Sequence, residues 1–426
     1  MLKRILSIGL LLFVMSTALL ACSGTENPEN PDVITVDGLV FAPYNEEKTE
    51  YELIEMLDLR EELTVPAEVL GKPVVSIGNS AFYNNNSLRK VTLPESVTEI
   101  CDYAFDNCMA LEEISFSSRI ERIGFNAFSD CERLKEINLP ASLKLMESSS
   151  FARCVSLEKI HINPALETIE RDSFIGCESI SEIYITDVSA WCQIYFENIA
   201  ANPITSAERL YVSDTLTEEL TITNAETISE YAFFKFSGLK KLTLGEGVVN
   251  VSDSAFSNCT SLKRLEISDS VKKIGTSAFN SCTSLEYIVM GGGVEYFSGL
   301  AFYNCKSLYA LEITDIFAWC EAFFYTDSTG TANPLYYADV IIMNGEEITE
   351  LVIPEGVKSV STLAFIGFKG TTIVFPSTLR NIEDTAFYMC PNISEYHYFN
   401  GTVDELMLLS IGSNNFGREI KIVPRK

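Results

Sequence analysis

Apolar residues along this chain follow two rhythms at once. At short range they alternate, as in Leu88-x-x-Val91-x-Leu93, which puts Val91 and Leu93 on one face of a short strand. At long range the alternating stretch returns every 23 residues, as Ile114/Phe116, Ile137/Leu139, Ile160/Ile162 and Ile183/Ile185. A second run holds Leu242/Leu244, Leu265/Ile267, Ile288/Met290 and Leu311/Ile313. A small–large pair keeps the same beat: Ala81-Phe82, Ala104-Phe105, Ala127-Phe128, Ser150-Phe151 and Ser173-Phe174. It resumes at Ala232-Phe233, Ala255-Phe256, Ala278-Phe279 and Ala301-Phe302, and again at Ala364-Phe365 and Ala386-Phe387. A fixed period of this length predicts a solenoid, in which each coil buries its apolar side only by stacking on a neighbour. The strands then pair in parallel, with a coil-to-coil rise of roughly 4.8 Å.

The position three after each Phe reads Asn85, Cys108, Cys131, Cys154, Cys177, then Phe236, Cys259, Cys282, Cys305, then Phe368, Cys390. Asn and Cys are small enough to sit inside a coil and bond a neighbouring coil's backbone. In-register side chains point the same way and fit disulfide geometry poorly, so free, buried thiols are expected. Phe replaces Cys only in the first coil after each loss of period, where a large ring fills the space beside an irregular coil.

The period fails at 187–227 and 315–359, and the two failures match. Each opens Thr-Asp-x-x-Ala-Trp-Cys, continues through aromatics to Asn-Pro, and ends in a hairpin-like stretch. The hairpins are expected over Leu210–Ile222, turning near Ser213-Asp214, and Val340–Ile353, turning near Asn344-Gly345. Asp187 and Asp315 are expected to cap short helices that carry Trp191 and Trp319 inward. The same tryptophans in a ligand-binding role would be stacking platforms, but their common phase in the repeat favours packing. The segment from Gly401 echoes this unit, with Leu406 in the Trp position. Val33–Glu55 reads as a hairpin turning at Asp37-Gly38, and Leu63-Thr64-Val65 as the first strand of the stack.

The chain therefore divides into 1–22 (signal segment), 23–32 (polar, Pro-rich tether), 33–76 (N-terminal cap hairpin and first half-coil), 77–390 (solenoid with its two interruptions) and 391–426 (C-terminal cap). In the signal segment Lys3 and Arg4 precede the apolar run Ile5–Leu20, which ends Leu19-Leu20-Ala21-Cys22. That ending looks like a bacterial lipobox, with Cys22 as the lipidated residue.

The formal net charge is -28, which argues against nucleic acid as a partner. No C-x-x-C pair occurs, and the two histidines, His161 and His397, are far apart, so no metal site is expected. No G-x-S-x-G, H-E-x-x-H or phosphate-binding glycine loop is present, and Gly291-Gly292-Gly293 reads as a loose bend. No catalytic residue and no cofactor are assigned. The remaining candidate is the outward strand face, with rows Lys90, Glu113, Glu136, Lys159, Glu182 and Thr92, Ser115, Asn138, His161, Tyr184 in the first run. The second run adds Lys241, Arg264, Tyr287, Ala310 and Thr243, Glu266, Val289, Glu312. Tyr184, His161, Tyr287 and Arg264 are the contacts expected if that face binds.

The pattern Ile-Gly-x-x-Ala-Phe-x-x-Cys-x-x-Leu-x-x-Ile-x-Leu-Pro resembles the BspA-like, treponemal-type leucine-rich repeats across about residues 33–426. The resemblance implies an α/β solenoid: a right-handed leucine-rich-repeat superhelix of ~23-residue coils with a parallel β-sheet, two irregular interruptions and capped ends. It also implies a lipid-anchored protein of the bacterial cell surface that binds a protein ligand, as an adhesin toward host matrix or other cells. Two alternatives stay open: a passive or self-associating envelope spacer, and a glycan-capturing surface protein. Oligomeric state is not legible in the sequence.

Overall fold

The computed structural model describes residues 32–325, 332–393, 396–415 and 421–424. The signal segment, Cys22 and nearly all of the tether lie outside the described residues. The chain is a parallel β-solenoid of about 14 turns. One coil shows the plan. Lys159–Ile162 is a long strand, Thr168–Ile169 a short one, and the stretch from Asp172 to Cys177 is a chain of turns. Ile160 and Ile162 point inward and are buried, while Lys159 and His161 face out. The next coil repeats this in register, pairing Lys159↔Glu182, Ile160↔Ile183, His161↔Tyr184 and Ile162↔Ile185. Helix is confined, among the described residues, to Val188–Trp191, Ile316–Glu321, Val403–Leu406 and short 3-10 turns. The α share of the solenoid is thus small.

The turn face explains a polar pattern beside the Ala-Phe pair. Two slots per coil take left-handed backbone, as at Ser80 and Asn84 (φ 57° and 61°) and at Asn126 and Asp130 (φ 51° and 58°). Short polar side chains tolerate that region better than branched ones.

Inside, the repeated side chains form ladders. Phe82, Phe105, Phe128 and Phe151 stack with ring centroids 4.7, 4.9 and 4.9 Å apart, close to the strand spacing. Phe174 joins them at 5.9 Å. Phe233, Phe256, Phe279 and Phe302 form a second ladder at 5.1, 5.4 and 5.3 Å. Each stacked pair adds about 0.5–1.5 kcal/mol beyond the area it buries. The cysteine slot is also a ladder. The thiol of Cys108 donates to the carbonyl of Phe82 in the preceding coil at 3.0 Å. Cys131, Cys154 and Cys177 do the same to Phe105, Phe128 and Phe151 at 3.3, 3.1 and 3.1 Å. Cys259, Cys282, Cys305 and Cys390 donate likewise to Phe233, Phe256, Phe279 and Phe365. The described cysteines are free thiols. Asn85 departs from the expectation: its Oδ1 accepts from Ser87 and Leu88 of its own turn rather than reaching the next coil. Phe236 and Phe368 are buried as expected, and each ring needs a glycine two residues on. A Cβ at Gly238 would sit 2.6 Å from Phe236, and one at Gly370 would collide with Phe368.

Both interruptions hold together better than the lost period implied. Tyr195–Phe196 and Arg209–Val212 extend the short-strand and long-strand sheets of the first block, so this stretch is one longer coil. Phe323–Phe324 and Val340–Met343 do the same in the second. The sheet actually stops at the hairpins. Arg209–Val212 turns through Ser213 and Asp214 (φ 48° and 62°) onto Thr215–Leu216. Val340–Met343 turns through Asn344 and Gly345 (φ 52° and 79°) onto Glu346–Glu347. The hairpins are therefore shorter than expected. Glu219–Ile222 and Glu350–Val352 belong not to them but to the next sheets. The three blocks still share one apolar core running from Leu39 to Phe399.

The ends are coils as much as caps. Ile34–Val36 and Leu39–Pro43 form the expected hairpin through Asp37 and Gly38, and Tyr51–Met56 joins it to the stack by pairing in parallel with Lys72–Ile77. Beyond Cys390, Tyr396–Phe399, Ser410–Ile411 and Lys421–Pro424 continue both sheets. Leu406 packs on the core from a helix closed by a Thr402/Glu405 capping box. The triglycine is not a loose bend: a Cβ at Gly293 would lie 1.7 Å from the Asp269 carbonyl, so the turn is pressed against the preceding coil.

Candidate functional site

On the long-strand face of the first block, successive coils place one side chain every strand spacing. At the row Asn138, His161, Tyr184, Tyr211 this builds a stack of rings. His161 and Tyr184 lie 4.3 Å apart at 13°, and Tyr184 and Tyr211 lie 4.5 Å apart at 6°. The neighbouring row, Glu136, Lys159, Glu182, Arg209, fixes the rings from the side. His161 Nε2 is 2.8 Å from Glu136 Oε1. Tyr184 donates its hydroxyl to Glu182 Oε2 at 2.6 Å. Arg209 reaches Glu182 Oε1 at 2.9 Å, and Lys159 lies 3.6 Å from Oε2. Glu182 is buried under these partners. The bond from Tyr184, followed by the two cations, holds the Glu182 carboxyl below the usual carboxylate range. The same bond pushes the Tyr184 phenol up to about 12. Both groups keep their charge state across physiological pH. Stacked rings cover one another's faces and present edges to whatever docks on the sheet.

The second block carries a different arrangement. The Arg264 guanidinium lies 4.3 Å from the Tyr287 ring centroid, a cation–π pair. Tyr287 donates to Glu312 at 2.8 Å, and Arg264 to Glu266 at 2.7 Å. Thr243 and Lys241 complete the surround of Glu266 at 3.0 and 3.2 Å. The four residues singled out from the sequence are thus brought together as two pairs on two separate sheets, divided by the Arg209–Leu216 hairpin.

Tyr211 and Arg209 were not in the expected set. They lie 27 positions after Tyr184 and Glu182, because the coil carrying Trp191 is longer than the rest, so a 23-residue comb misses them. The available signal was Arg-Leu-Tyr-Val at 209–212, whose alternation matches Glu-Ile-Tyr-Ile at 182–185.

The tryptophans are structural. Trp191 is 1% exposed and Trp319 4%, and their indole N–H groups donate to Ala232 O and Ala364 O at 2.9 and 2.8 Å. Asp187 and Asp315 cap their helices by accepting from the backbone N–H groups two and three residues on. Asn202 adds bonds to Tyr231 O and Ala232 O, and Asn333 to Leu363 O and Ala364 O. Each junction is therefore locked to the first coil of the next block by a Trp and an Asn. Among the described residues no group of three or more His, Cys, Asp and Glu is placed to hold a metal ion. Among them, too, no helix is long and apolar enough to cross a membrane.

The family model for the BspA-type leucine-rich repeat region matches residues 72–201, 208–329 and 341–420, in six copies. No curated protein matches the chain. Among solved structures, a leucine-rich repeat protein from Bacteroides ovatus shares 21% identity, with 92% of this chain and 100% of that chain covered and a TM-score of 0.53. The pneumococcal vaccine antigen PcpA shares 17% identity over 92% of this chain and 98% of that chain, with a TM-score of 0.44. A leucine-rich cell surface protein from Faecalibacterium prausnitzii shares 20% identity over 92% and 100%, with a TM-score of 0.39. The likeness to the Bacteroides ovatus protein bears on the fold alone.

Proposed function

This chain belongs to the BspA-type leucine-rich-repeat family, and from that premise we propose that it is a non-catalytic surface lipoprotein that binds a protein partner, as an adhesin toward host matrix or other cells. Cys22 is the lipid anchor in this reading, and the polar stretch 23–32 carries the solenoid away from the bilayer. The observation that carries the binding assignment is the His161–Tyr184–Tyr211 stack. Glu136 and Glu182 hold the His161 and Tyr184 rings, Arg209 holds Glu182, and Tyr211 stacks on Tyr184 before any partner arrives. Aromatic anchors already ordered lose little side-chain entropy on docking, which is how a small patch gains affinity. Arg264 and Tyr287 form a second, smaller anchor.

The test is capture of host matrix proteins or neighbouring cells by the native chain and by a Tyr184→Ala/Tyr211→Ala double variant. Loss of two anchors at the centre of a contact is expected to cost about 2 kcal/mol or more, roughly 30-fold in affinity. Unchanged capture by that variant removes the strip from the function. The spacer alternative predicts no saturable capture by either chain. Glycan capture through tryptophan platforms is disfavoured because both indoles are buried and bonded.

A further inference from the structure

The turn face sends its hydrogen bonds in one direction. Ser80, Phe82 and Asn84 donate their N–H groups to Asp102, Ala104 and Asp106 of the next coil at 3.0, 2.8 and 3.0 Å. Tyr103, Phe105 and Asn107 donate onward in the same way to Phe125, Ala127 and Ser129. Each block must therefore end with three donors and no regular coil to receive them. At the end of the first block, Asp172 N donates to the Asn198 side chain at 3.1 Å and Phe174 N to Ala200 O at 3.0 Å. The third donor, Gly176 N–H, meets no acceptor among the described residues. At the end of the second block the equivalent donor is Asn304 N, and the hydroxyl of Tyr337 accepts from it at 2.9 Å.

The two junctions align through Asn202-Pro203 and Asn333-Pro334, so Ser206 stands where Tyr337 stands, Thr205 where Tyr336 stands, and Gly176 where Asn304 stands. Each of these three exchanges is toward a smaller side chain at the first junction. What results is an open notch of about 460 Å³, within the size range of ligand sites. Gly176, Thr205, Ser206 and Tyr231 line it, together with Ile175 and Ile199, which are 45% and 40% exposed.

We propose that this notch receives a tyrosine side chain from a partner protein. The phenol hydroxyl accepts from Gly176 N–H, as Tyr337 does for Asn304 within the chain, and the ring packs on the apolar wall that Ile175 and Ile199 provide. The second junction is the self-filled version of the same site. The notch lies on the turn face, apart from the His161–Tyr184–Tyr211 strip, so the failure of either reading leaves the other standing.

The test is NMR of the whole chain labelled with ¹⁵N-glycine, titrated with acetyl-Gly-Tyr-Gly-amide and, separately, with acetyl-Gly-Phe-Gly-amide. A Gly176→Asn variant, which restores the residue type of the second junction, identifies the Gly176 resonance. The expected result is a saturable shift of Gly176 with the Tyr peptide, absent with the Phe peptide and lost in Ser206→Tyr. Reciprocally, in Tyr337→Ser labelled with ¹⁵N-asparagine, the Asn304 amide gains the response that the native chain lacks. No shift at Gly176, an equal shift with the Phe peptide, or no gain at Asn304 would overturn the proposal. The reciprocal variant decides the matter even if Ser206→Tyr fails to fold.

Discussion

The two junctions are nearly the same machine with different surfaces. Each caps a short helix with Asp, buries a Trp that donates to an Ala carbonyl of the following block, and latches that block with an Asn. Each closes its sheet with a two-residue turn whose left-handed backbone suits the twist of paired strands. The differences lie outside this machinery. The first junction ends its strand face with Arg209 and Tyr211, the second with Val340 and Ile342. The first leaves the turn face open at Ser206, the second fills it with Tyr337. Positions that agree are those that continue the core, and positions that differ are those a partner can meet. At the end of the first block the differing positions include Tyr211, in the ring strip, and Ser206, in the notch.

If the shared parts are equivalent, removing them should cost the same. Trp191→Ala and Trp319→Ala are each expected to destabilise their junction by about 3–5 kcal/mol, the usual range for a buried Trp. Hydrogen exchange on the flanking strands reads this, since long repeat arrays do not unfold as one unit. A large cost at one junction and none at the other would break the comparison. Asn202→Ala and Asn333→Ala come next, at about 1–3 kcal/mol, because each strips buried carbonyls of their partner.

The thiols separate the first two blocks from the third. Burial pushes Cys108 up to about 12 and raises Cys131, Cys154, Cys259 and Cys282 as well. In the unfolded chain an ordinary thiol releases its proton near ~8.5. The folded form keeps the proton, so this contribution to stability is fully present below about pH 8.5. It is lost as pH rises toward the folded values, by about 1.4 kcal/mol per thiol per pH unit. The two blocks with thiols in consecutive coils should lose exchange protection in alkali before the third, where Cys390 stands alone in its ladder. Simultaneous loss in all three would show that the ladder does not control the alkaline limit.

The smallest effect runs the other way. Ser150 occupies a slot that is Ala in most coils, and its buried hydroxyl has no partner. Ser150→Ala is expected to stabilise the first block by about 1 kcal/mol, seen as slower exchange of its strands. Ser173→Ala should not gain in this way, because that hydroxyl bonds Glu147 O and Glu170 O at 3.2 and 2.7 Å.

The stack was legible because one physical demand, burial against a copy of itself, is written into every coil at the same slots. Ala127, Phe128 and Cys131 announce their neighbours 23 residues away. The N-caps at Asp187 and Asp315 and the inward tryptophans were legible for a local reason, the short spacing between cap and ring. The 23-residue period does not reach Tyr211, because one longer coil shifts it out of phase while leaving it in register in space. The destinations of Glu219–Ile222 and Glu350–Val352 were hidden because alternation alone does not say which sheet a strand joins. The tightness of Gly291-Gly292-Gly293 depends on the preceding coil's Asp269 carbonyl, a contact that no local pattern records.

Hydrogen exchange of the chain alone and bound to its captured partner tests the binding assignment most directly. The account predicts new protection over Lys159–Ile162, Glu182–Ile185 and Arg209–Val212, centred on the strip of rings. Protection confined to other strands, with these three unchanged, would contradict it.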